Sequence, residues 1–212
     1  MRGMISGLAL GAAVAAVALP VQAADMLRPR VDYSATYRID PDGMVMTMSH
    51  HAGRMRIDTD EGGRPATILM DPVKRVMFML ADGMAMKISM DQPLPGAGKG
   101  LTPTGVVGSA RYTPVPLGTK VIAGLGCTVY EAFCEGDGGK PVRSEVCLTD
   151  DMVMLEAVSK DQGQPYVMTA TSVSLKPQDP ARFEVPKGMQ VMDMSQMLGG
   201  LGAMGVPGMP RQ

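Results

Sequence analysis

Tryptophan is absent from the chain, and Tyr and Phe bring the aromatic share to only 4%. Stacking platforms for bases are therefore scarce, and with 20 basic against 21 acidic residues there is no cationic surface for a polyanion. Both features argue against a nucleic-acid binder. Histidine is nearly missing too, with only the adjacent pair His50 and His51. Neighbours in a strand point to opposite faces, so the chain has little with which to build a nucleophile–base pair, and an enzyme is not expected. "GAGKGLT" lacks the spacing of a phosphate loop, and "GLGCTV" lacks the third glycine of a dinucleotide fingerprint. Carboxylates such as Asp58, Asp60, Asp150 and Asp151 read as solvated turn or surface groups. No cofactor is expected.

Long apolar runs are also missing once the first residues are passed. "MRGMISGLALGAAVAAVALPVQA" has one positive charge, Arg2, an uncharged Ala/Leu/Val run, and a small-residue cleavage pattern at Val21-Gln22-Ala23. Residues 1–23 are read as a secretory signal peptide. The expected product is periplasmic or secreted and soluble after cleavage, with peripheral membrane contact left open. Removing Arg2 leaves 19 basic residues against 21 acidic, a net charge of −2. Residues 24–189 would form one β domain, and 190–212 a Met/Gly-rich helix and flexible tail.

Glycine and methionine are abundant, at 26 and 22 residues. Gly and Pro scattered throughout favour short strands joined by turns. The turns phase those strands against one another. Across "DPDG", Ile39 meets Met44, Tyr37 meets Met46, Ala35 meets Met48 and Tyr33 meets His50. A two-residue turn at Ala52-Gly53 pairs His50 with Met55 and Met48 with Ile57. Beyond "DEGGRP", Ile57 meets Ile68 and Met55 meets Met70. Across "DPVK", Ile68 is expected opposite Met77. Asp82-Gly83, a type I′ hairpin signal, sets Met79 opposite Met86 and Met77 opposite Ile88. One face then carries Tyr37, Met46, Met48, Met55, Ile57, Ile68, Met77, Met79, Met86 and Ile88, which form the candidate ligand-binding surface. The opposite face carries Asp32, Ser34, Thr36, Arg38, Thr47, Ser49, Arg54, Arg56, Asp58 and Asp60, as expected where water is met. From Lys74 to Leu80 both faces are apolar, and cover on each side is expected.

Residues 91–118 hold 5 Pro and 6 Gly and read as an excursion loop. A second meander follows in "CTVYEAF", "PVRSEVCLT", "MVMLEAVS" and "YVMTATSVSLK". If "EGDGGK" closes a hairpin, Cys127 falls opposite Cys147 and Glu131 opposite Arg143. This favours a Cys127–Cys147 disulfide, with Cys134 on the other face. "MQVMDMSQML" places Val191, Met194 and Leu198 at helical spacing and reads as a helix across the open side of the sheet.

The stretch "GRMRIDTDEGGRPATILMDPVKRVMFMLADGMAMKI" resembles the successive short strands of the lipoprotein-carrier-like superfamily, the periplasmic LolA-like half-barrels. "IAGLGCTVYEA", "CLTDDMVMLEA" and "QDPARFEVPKGM" are similar to an exported-domain family of unknown function within it, and the likeness covers Val31 to Met189. The resemblance implies a single curled antiparallel sheet of about ten or eleven strands with one or a few helices on its concave side. It also implies a hydrophobic hollow that receives acyl chains in the carriers. Three readings stay open. The methionine face holds a lipid or a lipoprotein acyl chain, its unbranched thioethers repacking around different shapes. Alternatively Met48, His50 and Met55 are the soft ligands of a copper site, although alternate residues on one strand lie about 7 Å apart and cross-strand partners must converge. Or the face is a filled core of a structural or interaction domain.

Overall fold

The computed structural model describes residues 28–90, 111–135, 141–161 and 164–194. The expected signal peptide and the segment 195–212, including Leu198, lie outside them. Twelve strands form one open sheet: β1 Tyr33–Asp40, β2 Met44–His51, β3 Arg54–Glu61, β4 Arg64–Asp71, β5 Val76–Ala81, β6 Met84–Ser89, β7 Arg111–Ile122, β8 Leu125–Glu135, β9 Pro141–Leu148, β10 Met154–Asp161, β11 Gln164–Ser174 and β12 Gln190–Asp193. The order is β12-β6-β5-β4-β3-β2-β1-β11-β10-β9-β8-β7. Two meanders thus meet at β1 and β11, and the sheet ends at β12 and β7.

The expected pairings in β1–β2, β2–β3, β3–β4 and β5–β6 all occur. Their tight turns explain why: Ala52-Gly53 and Asp82-Gly83 both hold two consecutive left-handed residues, the type I′ geometry that matches strand twist. The β4–β5 pairing differs. Ile68 lies opposite Met79 and Met70 opposite Met77, two residues from the expected register. Asp71 Oδ1 accepts the N–H groups of Val73 and Lys74, which lengthens this turn. An even slip keeps every side chain on its face.

The same correction applies to the disulfide hairpin. Cys147 lies opposite Val129, and Glu131 opposite Glu145. The Cys127–Cys147 bond therefore runs diagonally, with Cα atoms 5.5 Å apart. Arg143 reaches Glu131 diagonally as well, escaping the like-charge pairing. Lys120 sits directly beside Cys127 and Glu156 beside Cys147, and these two form an ion pair across the bridge.

The expectation of a loop through residue 118 is overturned by β7, which begins at Arg111. Pro114 and Pro116 fit because β7 is an edge strand, where a missing N–H can face away from the ladder. Its register shifts on either side of Pro116. The expected helix from Met189 is corrected over Gln190–Asp193, while Met194 is helical and the remainder lies outside the described residues. Gln190–Asp193 forms a strand parallel to β6, held by main-chain pairing and by Lys87 Nζ donating to Asp193 Oδ2 at 3.0 Å. Edge groups of β6 that would otherwise face water or another chain are satisfied there, which outweighs the helical spacing.

The Cys127–Cys147 bridge closes a 20-residue separation. Chain-entropy reasoning gives it about 3 kcal/mol. Cys127→Ser combined with Cys147→Ser should lower the urea midpoint, with an m-value that rises as the unfolded chain is freed to expand, as followed by circular dichroism.

Candidate functional site

The inner face of the sheet carries the expected surface. Tyr37, Met46, Met48, Met55, Ile57, Met77 and Ile88 belong to one buried cluster, with exposures between 0 and 9%. Ile68 and Met79 pack against it half-buried. Met86 is on the same face, between Met79 and Met192 in the ladders, but it is half-buried and outside the cluster. Its place toward the β12 edge accounts for that. The sulfur atoms of five adjacent strands therefore share one surface, since β2 through β6 keep a common parity.

The second meander extends this surface through positions that the sequence did not single out. Ile39 lies beside Met168, Met168 beside Ala157, Ala157 beside Val146, and Val146 beside Tyr130. Alternation of apolar residues in β9 to β11 was the available signal. Tyr37 ties the halves together, its hydroxyl donating to the Met154 carbonyl at 2.6 Å. Burial pushes the phenols of Tyr33 and Tyr37 well above the usual range, so both stay protonated.

His50 is held as a core group. Val31 O, an acceptor only, lies 2.8 Å from Nδ1, and the Gly53 N–H, a donor only, points at Nε2 at 3.1 Å. This fixes the neutral tautomer with its proton on Nδ1. Both ring nitrogens are engaged, so a metal would have to break one of these bonds to find a lone pair. The ring stacks near Tyr33, with centroids 6.0 Å apart. Burial, partly opposed by the Val31 carbonyl, lowers the pKa of His50 below its ordinary 6.5.

The outer face meets water as expected at Arg38 and Asp60, but it is partly covered elsewhere. Ser49 is fully buried and donates to Ser34 Oγ at 3.1 Å. Residues 175–189 cross this face as a strap. Its 3₁₀ turn, Pro180–Phe183, packs on the face opposite the methionines, with Phe183 5.6 Å from the His51 ring and beneath Arg54 at 5.7 Å. Val185 and Met189 cover Leu69, Leu80 and Ala85, which gives the β4–β6 region its second apolar layer. Polar clasps hold the strap. Asp32 Oδ2 meets both His51 Nδ1 at 2.8 Å and the Gln178 N–H at 3.0 Å, while Arg56 Nη1 donates to Arg182 O at 2.8 Å. Burial pushes the Asp32 carboxyl up, but the Gln178 and His51 bonds together outweigh it and leave it below the usual range.

No family model matches the chain, and no curated protein matches it. Solved structures to which it is similar include MucB, at 15% identity over 78% of this chain and TM-score 0.41. This chain spans 61% of that one. A LolA superfamily protein from Nitrosomonas europaea matches at 13% identity over 74% of this chain and 91% of its own, TM-score 0.40. The lipoprotein LppX of Mycobacterium tuberculosis matches at 11% identity over 71% and 89%, TM-score 0.41. With identities this low and TM-scores under 0.5, the reading of function rests on the chain's own residues.

Because folding lowers the pKa of His50, the unfolded chain binds the proton more readily between the folded value and 6.5. Stability is then complete above that range and falls as pH drops through it. Urea midpoints measured from about pH 7.5 to about pH 5.5 should decline more steeply for the wild type than for His50→Asn.

Proposed function

We propose that this chain is an exported, non-enzymatic binding protein that holds a hydrophobic ligand, the acyl chain of a lipid or lipoprotein, against its inner face. The observation that carries the reading is the single surface shared by Met46, Met48, Met55, Met77 and Met79 across β2, β3 and β5. A core needing only bulk could use branched or aromatic residues, whose rotamers specify one packing. Thioether chains are unbranched and polarizable, and they repack around guests of different shape. Each ligand methylene buried among them contributes about 0.8 kcal/mol. The disulfide supports an oxidising compartment, periplasmic or outside the cell. A signal peptide over residues 1–23 would deliver the chain there, leaving 24–189 as the binding domain and 190–212 as an appendage to it.

One observation favours a second reading. Met48, Met55 and Met77 are 2–5% exposed, so the face is already covered, and a guest must displace its neighbours. A structural or interaction domain with a filled core would look the same. The copper reading loses support because His50 is committed through both nitrogens. Met48 and Met55 alone would offer soft sulfur without an imidazole.

Native mass spectrometry of protein taken from the periplasm separates these readings. Co-purified lipid of acyl mass, exchangeable with added lipid, is the expected result. Apoprotein that also fails to take up added acyl lipid would leave the filled core standing. Stoichiometric copper lost in Met55→Leu and His50→Ala would restore the metal site.

A further inference from the structure

Beyond the methionines, the inner face ends in a short polar row. Ser144 of β9 lies directly beside Ser159 of β10, and Ser159 beside Tyr166 of β11. All three share the parity of Val146, Ala157 and Met168, one step further along the same strands, so they face the same side as the methionines. Ser144 is 4% exposed. Its Oγ and the Tyr166 hydroxyl oxygen are both buried with no hydrogen-bond partner. Tyr166 also packs against the apolar cluster that contains the methionine face.

Unpaired buried hydroxyls are exceptions among folded proteins, because each has given up water and received nothing in return. Two of them lie in one row, on strands whose backbones are two spacings or roughly 10 Å apart, a gap that the length of the tyrosine side chain can largely span, and they leave two O–H donors beside an otherwise apolar surface. A group that accepts hydrogen bonds and offers none would satisfy them. Its charge is constrained as well. Asp40, the last residue of β1, lies opposite Val167, so Tyr166 sits beside the β1–β2 turn that carries Asp42, and the phenol is raised by burial and further by the negative charge of that carboxylate. A carboxylate brought to the same hydroxyl would meet that charge, whereas a neutral carbonyl would not.

We infer that Ser144 Oγ and Tyr166 Oη form a polar subsite at one end of the inner face that takes the uncharged carbonyl of an ester-linked acyl chain. The inference rests on the binding function proposed above and specifies its ligand class: an acyl ester in preference to a free fatty acid. The hydrocarbon tail would run from this row past Met168 and Ile39 toward Met46 and Met48.

Methyl oleate, oleate and the hydrocarbon hexadecane, each competed against bound N-phenylnaphthylamine by fluorescence, test it. The wild type should bind the ester more tightly than oleate. Ser144→Ala with Tyr166→Phe should weaken the ester by about 10-fold, the sum of two modest hydrogen bonds, and leave hexadecane unchanged. Tyr166→Phe alone, which keeps the ring, should give part of that loss. Neither change leaves a new group unpaired, so thermal midpoints should hold or rise. An ester affinity unmoved by the double variant, or oleate bound at least as well as the ester, overturns the subsite while the binding function stands. Failure of the wild type to bind all three compounds overturns the binding function itself.

Discussion

Parity is the constraint on which this fold depends. In an antiparallel sheet each side chain faces opposite to its neighbours, and a strand slipped by one residue would carry its methionines to the wrong side. Every turn in the first meander therefore has to preserve an even register, whatever its length. The β4–β5 turn shows how strict the requirement is and how much freedom it leaves. Asp71 closes a longer turn than its sequence suggests, and the pairing moves by two residues. Met77 then meets Met70 in place of Ile68, yet no sulfur leaves the inner face. The diagonal disulfide obeys the same rule, since Cys127 and Cys147 remain on one face although they are not opposite each other.

Covering both faces where both are apolar is the second demand. Leu69, Phe78 and Leu80 lie on the reverse of the strands that present Met70, Met77 and Met79. Without cover, they would form an exposed patch of the kind that promotes association. Residues 175–189 answer this by running over the outer side, with Phe183, Val185 and Met189 as the apolar contacts. Such contacts have no direction of their own. The direction comes from Asp32, Arg56 and Arg54, whose bonds to Gln178, Arg182 and Glu184 fix where the strap crosses, with His51 holding the Asp32 carboxylate in place. The charged outer residues of β1 to β3 are thus a docking track as well as a solvated face.

The sequence made the first six strands legible because local turn chemistry and polarity agreed there, residue by residue. Asp82-Gly83 and Ala52-Gly53 each admit essentially one register. It was less informative where the decisive interactions lie far apart in the chain. The strap depends on contacts between Asp32 and Gln178, 146 positions apart. β12 depends on an edge of β6 that only a completed sheet reveals. Pro114 and Pro116 read as loop residues because their tolerance at an edge cannot be seen until the edge is known. The unpaired hydroxyls of Ser144 and Tyr166 were equally hidden, since a serine and a tyrosine in adjoining strands give no sign of whether partners will reach them.

The inner face is both the hydrophobic core and the candidate binding surface, and this identity shapes what can be learned from it. Truncating Met48 would remove packing among buried neighbours, and large-to-small core changes of this kind typically lose 2–5 kcal/mol of stability. Any accompanying loss of binding could not be assigned to a missing ligand contact. Tyr37 is bound by the same logic, because removing its hydroxyl strands the Met154 carbonyl. The polar row escapes it. Ser144 Oγ and Tyr166 Oη sustain no bond within the fold, so deleting them takes nothing from the folded state that another group needs. In a protein whose site is also its core, groups that do no structural work are those whose loss reports on the ligand alone.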